Sequence, residues 1–373
     1  MPKIGVLTFH RAYNYGAVIQ AYSIQNVIED IGYDCEIIDY VNKQQISYYT
    51  PLVYSNGVRK FVKDLIFIGY LKQIKKKNRL FDQFIEKEIK KSKKSFMSEN
   101  ELRACNNEFD AFVVGSDQVW NPIHSNDFRK AYVLDFVDDN HLKLAYAPSI
   151  GAASLEDLSA YKNYINEFKE LSCREQRGAE VLKQLTDRDV QVLLDPTLIV
   201  EKSKLHFLAD KAKSENENYI FYYTLDGFDK RKNGVKLLKD ISKLYDMKVK
   251  VIAPTWPKMF SGFENIMDAS PEKFLNLIKN ASLVCTNSFH GMALSIDYKK
   301  EFFVLEEYDG KDDRKISLLK KVGLEERMTT DIKDISKLKD KAIDYSKVDS
   351  MLQDLKEKSI NYLKRNLDGY FNI

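Results

Sequence analysis

Short apolar runs alternate with helical segments along most of this 373-residue chain. Each run stops at a polar turn that opens the next helix. "KIGVLTF" leads through "HRAYNYG" into "AVIQAYSIQNVIEDIG", and "CEIIDY" follows. "FDAFVVG", "KLAYAPS", "ELSCR" and "VQVLLD" continue the series, with "EQRGAEVLKQL" as an intervening helix. A second series runs "YIFYYTL", "KNGVKLLKDISKLY", "KVKVIAP", "SPEKFLNLIKNA", "SLVCTN" and "FFVLEE". Strands separated by helices form parallel sheets, so this order specifies an α/β fold.

One ordinary core does not serve a chain of this length, and two Rossmann-like βα domains are expected. Residues 1–198 form the first, with a Lys-rich helical insertion at about 43–105. Residues 199–330 form the second, and 331–373 a charged helical tail. Ser270 reads as a helix N-cap, with Pro271 at the first helical position.

The net charge of +3 sits within 58 basic and 55 acidic residues, which argues against a polyanion binder such as a nucleic-acid protein. Cys35, Cys105, Cys173 and Cys285 form no C-x-x-C pair and read as free thiols of a reducing compartment. "MPKIGVLTFH" carries no cleavage pattern, and no apolar run has the length of a membrane span. A soluble, cytoplasmic protein is the expectation.

Four strand-to-helix turns are candidates for chemistry: "TFHRAYNYGA", "VGSDQVWNP", "SCREQRG" and "TNSFHGMA". Free N–H groups at a helix start favour an anion there, and Gly16 or Gly291 lets backbone approach a ligand. Each turn alone is equally a structural cap. His290 is one of five histidines. It reads either as an anion contact or as a buried imidazole satisfied by a carbonyl; no second ligand stands at metal spacing. Arg174 is an anion clamp or a partner of Glu175, Glu180 or Asp195. Asp117 and Trp120 cap and cover a helix start, or belong to the site. His10 and Arg11 are site residues or solvated loop residues.

In combination the segments say more. "LTFHRAYNYGAVIQAYSIQ", "FDAFVVGSDQVWNP", "AYAPSIG", "CREQRG", "LLDPTL" and "TNSFHGMALSI" occur in one chain in that order, and the chain resembles the polysaccharide pyruvyltransferase family from about residue 3 to residue 327. The resemblance implies a GT-B-like two-domain fold. It also implies transfer of a pyruvyl group from phosphoenolpyruvate to a sugar of a surface polysaccharide or its precursor. The product is a ketal and phosphate leaves, with no metal or further cofactor. His290 matches a histidine linked to the donor, and Arg174 an arginine proposed there as general acid. A basic residue after the following strand helps hold the donor, which is Lys311 or Arg314 here. Ser288 and Gly291 complete that turn. His10, Arg11, Asn14, Gly16, Ser116 and Trp120 are candidate substrate contacts on the N-terminal turns.

A guanidinium is a poor proton donor, so Arg174 reads first as a clamp for a carboxylate or phosphate. His290 is the titrating candidate and Asp117 a candidate base. Two other classes fit the same pattern. One is a nucleotide-sugar glycosyltransferase using Glu306 or Glu307 for a ribose. The other is a non-catalytic carbohydrate-binding protein. Arg59, Lys60, Lys63, Lys72, Lys75, Lys76, Lys77 and Arg79 flank the apolar "LIFIGYL". They suit peripheral contact with an anionic membrane carrying a lipid-linked acceptor, or form the solvated face of a packed helical pair.

Overall fold

The computed structural model describes residues 1–41, 69–122, 130–214, 217–225, 231–253 and 262–373. Eleven strands among the described residues are all parallel. The first sheet has the order β2-β1-β3-β4, from β1 (Lys3–Leu7), β2 (Asp34–Ile37), β3 (Ala111–Val114) and β4 (Leu142–Ala145). β5 (Leu171–Cys173) and β6 (Val190–Val192) form a separate pair. The second sheet has the order β11-β10-β7-β8-β9, from β7 (Tyr219–Tyr223), β8 (Lys248–Ile252), β9 (Glu264–Asn265), β10 (Leu283–Thr286) and β11 (Phe302–Val304).

Among the described residues thirteen α-helices accompany them: α1 (Tyr15–Asp30), α2 (Leu71–Glu88), α3 (Glu99–Leu102), α4 (Lys162–Asn166), α5 (Gln176–Thr186), α6 (Pro196–Ile199), α7 (Lys202–Asp210), α8 (Arg231–Tyr245), α9 (Pro271–Asn280), α10 (Phe289–Asp297), α11 (Arg314–Lys321), α12 (Ile332–Leu338) and α13 (Tyr345–Phe371).

Strand order fixes where a ligand can sit. In the first sheet β2 lies on one side of β1 and β3 on the other. In the second, β8 lies on one side of β7 and β10 on the other. The carboxyl ends of such strand pairs open a crevice between diverging crossovers. The turns after β1, β3 and β10 all stand at these two switch points.

Packing between the sheets is apolar and continuous. Tyr15, at the start of α1, stacks on Phe274 of α9 with ring centroids 4.5 Å apart. Its hydroxyl donates to the Ala269 carbonyl at 3.0 Å. α1 is buried nearly all round, as a helix wedged between layers must be. α13 buries Val348, Leu352, Ser359, Tyr362, Leu363, Asn366 and Leu367, a three-to-four spacing that forms one face. Along it, Lys299 pairs with Asp349 at 2.5 Å, and the Tyr362 hydroxyl donates to the Ala145 carbonyl at 2.9 Å. The charged tail is thus a strap across both sheets.

The described part of the Lys-rich insertion, residues 69–105, is less uniformly helical than its sequence suggests. α2 is amphipathic, with Ile74, Phe81, Phe84 and Ile85 buried. Beyond it the chain extends along β2, with bridges Ile37 to Lys91 and Tyr40 to Phe96, because buried Ile89 and Phe96 pack beside that edge. Lys72, Lys75, Lys76 and Arg79 are exposed, while Lys77 is buried. Arg59, Lys60, Lys63 and most of "LIFIGYL" lie outside the described residues. The four cysteines are buried free thiols. Among the described residues no helix is long and apolar enough to cross a membrane.

Candidate functional site

The turn after β10 is built by its own polar residues. The Thr286 hydroxyl donates to the Tyr223 carbonyl at 2.7 Å and accepts the Ser288 N–H at 3.0 Å. Ser288 is the N-cap of α10, its hydroxyl accepting the Gly291 N–H at 3.4 Å. A Cβ on Gly291 would stand 2.4 Å from the Thr286 hydroxyl, so the glycine lets the helix start this close to the strand. Phe289 and His290 occupy the first turn, where backbone N–H groups lack intrahelical acceptors.

His290 points across the seam to Asp195, with Nε2 3.5 Å from Oδ2. That length is long for a hydrogen bond, and Nε2 remains buried without a hydrogen-bond partner. Arg174, just past β5, donates from Nη1 to the same oxygen at 2.7 Å. Its guanidinium carbon lies 4.0 Å from the centroid of the Phe289 ring, a cation–π contact. Nε and Nη2 are buried with no hydrogen-bond partner, although Nη2 is 3.8 Å from Asp117 Oδ1. These two donors lie along one edge of the guanidinium, the arrangement that grips a carboxylate or phosphate with two parallel bonds.

Asp195 is the hub of this cluster. Burial alone would raise its carboxyl, but the His290 imidazole and the Arg174 guanidinium hold it well below the usual carboxylate range. The Ser116 hydroxyl lies 3.0 Å from Oδ2 and 2.9 Å from the Ala147 carbonyl. In the sequence Asp195 reads only as one of three possible salt-bridge partners for Arg174. The signal available was Asp-Pro-Thr, a helix N-cap followed by proline, and Asp195 does cap α6 by accepting the Thr197 N–H at 3.1 Å.

Arg314 also comes into the neighbourhood. It pairs through Nε with Asp312 at 2.7 Å. Burial works against its charge, but Asp312, with Glu175 and Asp117, raises its proton affinity overall. Lys311 is exposed on the loop before it, where its N–H donates to Asp309 at 2.9 Å. Of the two alternatives, Arg314 is the one beside the charges of the seam. Next to it Asp313 and Ser317 accept the N–H groups of Arg177 and Gln176 at 2.9 and 3.2 Å, so the second half of the chain caps α5, the helix that follows Arg174. Burial pushes the Glu175 carboxyl up, opposed by Arg174 and Arg314. Its Oε1 accepts from Ser149 and Ile150 while Oε2 has no partner.

The N-terminal candidates divide. Asn14 caps α1 through the Ala17 N–H, and Gly16 stands directly against the His290 ring. Asp117 adopts φ 65°, with Oδ1 2.8 Å from the Gln118 N–H. His10 and Arg11 are not solvated loop residues. His10 is 1% exposed with Nε2 2.9 Å from Asp39, and Arg11 reaches the same carboxylate at 2.6 and 2.5 Å. They lock the first turn to the end of β2. Trp120 is a core residue: it is fully buried, packs edge-on to Phe168 at 5.4 Å, and donates its N–H to the Tyr132 carbonyl at 2.8 Å. Its one polar atom is occupied, which removes it from the candidate ligand contacts. Among the described residues no three His, Cys, Asp or Glu side chains are grouped as a metal site.

Two parallel sheets with helix starts converging on the seam between them define a GT-B-type fold. Solved structures share that fold. A UDP-GlcNAc 2-epimerase from Neisseria meningitidis aligns at a TM-score of 0.55 and 12% identity, over 98% of this chain and 99% of that one. The Methanocaldococcus jannaschii UDP-GlcNAc 2-epimerase, in complex with UDP-GlcNAc and UDP, aligns at 0.52 and 16%, over 98% of both chains. A Thermobaculum terrenum O-GlcNAc transferase aligns at 0.51 and 11%, over 99% of this chain and 66% of that one. No curated protein matches the chain. The family model for polysaccharide pyruvyl transferase matches residues 14–309. The chain belongs to that family, and the protein is a transferase.

Proposed function

We propose that the protein transfers a pyruvyl group from phosphoenolpyruvate to a sugar of a surface polysaccharide or its precursor, forming a ketal and releasing phosphate. One observation carries the reading. The Nε and Nη2 donors of Arg174 and Nε2 of His290 are buried, without hydrogen-bond partners, beside the first turn of α10. Buried donors of this kind are normally satisfied, so a cluster of them supports the reading of an anion-binding site. Phosphoenolpyruvate brings two anionic groups, a carboxylate and a phosphate.

In this reading Arg174 grips one anionic group bidentately and His290 donates to the other. Arg314 adds positive potential from the second half of the chain. The two acceptor hydroxyls each lose a proton as their oxygens bond to the central carbon of the donor. One proton ends on the former methylene carbon, now a methyl group. The other leaves with phosphate as the C–O bond breaks. Asp117 is the base for a hydroxyl. His290 is the imidazole placed to donate to, or accept a proton from, the bound donor. No metal or further cofactor is assigned. A cytoplasmic enzyme meeting a sugar or lipid-linked acceptor at the inner membrane face suits the exposed lysines of α2.

The competing reading, a nucleotide-sugar transferase, needs a free carboxylate for the ribose. Glu306 is paired with Lys315 at 2.9 Å, and Glu307 accepts the Thr330 hydroxyl at 2.7 Å. Thermal unfolding with each ligand separates the two. Phosphoenolpyruvate is expected to stabilise the fold by RT ln(1 + [L]/Kd), about 2.7 kcal/mol at a hundred times Kd, and so to raise the midpoint, with no effect of UDP-GlcNAc. The opposite pattern rejects the proposal.

A further inference from the structure

We propose that Asp195 is the positioning residue of the anion site, holding Arg174 and His290 in register across the two halves of the chain. The inference rests on the reading of those two residues as donor contacts.

Asp195 itself is 1% exposed and its two oxygens have separate tasks. Oδ1 accepts the N–H of Thr197 at 3.1 Å and its hydroxyl at 2.8 Å, which caps α6. Oδ2 serves the site, meeting Arg174 Nη1 at 2.7 Å, the Ser116 hydroxyl at 3.0 Å and His290 Nε2 at 3.5 Å. Arg174 follows β5, which pairs with β6 in the first half of the chain; His290 follows β10 in the second sheet. Asp195 stands between β6 and α6, where the chain leaves the first half for the second. One carboxylate therefore meets an arginine and a histidine that no shared element holds together.

The chemistry of the arrangement follows. Tying up Nη1 of Arg174 orients the planar guanidinium, so that the Nε–Nη2 edge is the one left for a ligand. The Arg174 guanidinium and the His290 ring face one carboxylate, and the donors it leaves free are what a bound anion meets. Asp117, 3.8 Å from Arg174, and buried Glu175, whose carboxyl feels the Arg174 charge, are further acids near this pair. Both oxygens of Asp195 are engaged, so it acts through Arg174 and His290.

The two tasks are separable. Asp195→Asn can keep Oδ1 as the cap acceptor while removing the charge at Oδ2. Thr197→Val removes a cap contact alone. Affinity for phosphoenolpyruvate is measured by calorimetry in the full chain, for wild type, D195N, H290Q and the double variant. D195N is expected to weaken binding about tenfold or more, T197V by less than about twofold. In the H290Q background the D195N loss should shrink to less than half its logarithmic size, because residues acting as one unit are not additive. Losses that multiply independently, or D195N affinity within twofold of wild type, overturn the proposal. Should D195N fail to fold, D195E keeps the charge and displaces it; wild-type affinity in folded D195E overturns the proposal equally. A wild type that ignores phosphoenolpyruvate but binds inorganic phosphate rejects the donor assignment, and the same cycle run with phosphate still tests Asp195. Binding of neither anion overturns both.

Discussion

The imidazole of His290 lies against Gly16 so closely that a Cβ on Gly16 would stand 2.2 Å from Nδ1. The two residues come from different sheets: Gly16 is in the first turn of α1, and His290 in the first turn of α10. The missing side chain is what lets the two helix starts meet. Gly16→Ala must therefore push the ring away from Asp195 or part the seam. Overpacking of this kind costs about 1–3 kcal/mol of stability. The larger expected effect is on affinity for phosphoenolpyruvate, a loss of tenfold or more measured by calorimetry on folded protein. Unchanged affinity would mean that His290 does not contact the donor.

Trp120 serves as the contrasting case. Trp120→Phe removes the hydrogen bond from the indole N–H to the Tyr132 carbonyl and opens space beside Phe168, at an expected cost of about 1–3 kcal/mol. Chemical denaturation should report that loss, while affinity for phosphoenolpyruvate stays within twofold. A large affinity change with unaltered stability would return Trp120 to the site.

Asp297 predicts a pH dependence. It ends α10, is buried, and its Oδ2 has no hydrogen-bond partner. Burial pushes the carboxyl up to about 6, against the opposing pull of Lys356 and Lys202. A helix C-terminus also disfavours an anion. The folded chain holds this proton more tightly than the unfolded chain. The associated stability is complete below the unfolded value of about 3.9 and is lost as pH rises through about 6. The loss at pH 7 is on the order of 3 kcal/mol for a shift of this size. Asp297→Asn is expected to unfold at higher urea than wild type at pH 7.5 and to lose that advantage at pH 4. A variant less stable than wild type at pH 7.5 contradicts the assignment.

The outer face of α2 offers Lys72, Lys75, Lys76 and Arg79 to an anionic surface, and Lys76 already pairs with Asp268 at 2.6 Å. Flotation with phosphatidylserine vesicles at low salt should recover wild type. It should fail for the variant carrying Lys72→Glu, Lys75→Glu and Lys76→Glu. Each basic residue at such a surface contributes about 1 kcal/mol. No binding at low salt would leave α2 as a solvated structural helix.

The sequence carried the strand runs, the switch-point turns and the caps, because these are local. Ser270 and Ser288 accept N–H groups three residues on, and such spacing is readable. The family resemblance placed Arg174 and His290 in one site, and the fold brings them to one carboxylate. What stayed hidden depends on distant partners. His10 and Arg11 pair with Asp39, and only the strand arrangement reveals that they are lock residues. Trp120 follows a polar turn, so its burial could not be read from its neighbours. The contact of Gly16 with His290 needs both sheets in place before it exists.

The central claim is that Arg174 and His290 hold phosphoenolpyruvate for transfer to a sugar. Phosphate release from phosphoenolpyruvate, measured with a panel of sugar acceptors, tests it most directly. The account predicts acceptor-dependent release by wild type, one phosphate per ketal formed, and a drop of about 10²-fold or more in folded His290→Ala. Acceptor-independent release, or an undiminished rate in His290→Ala, would contradict it.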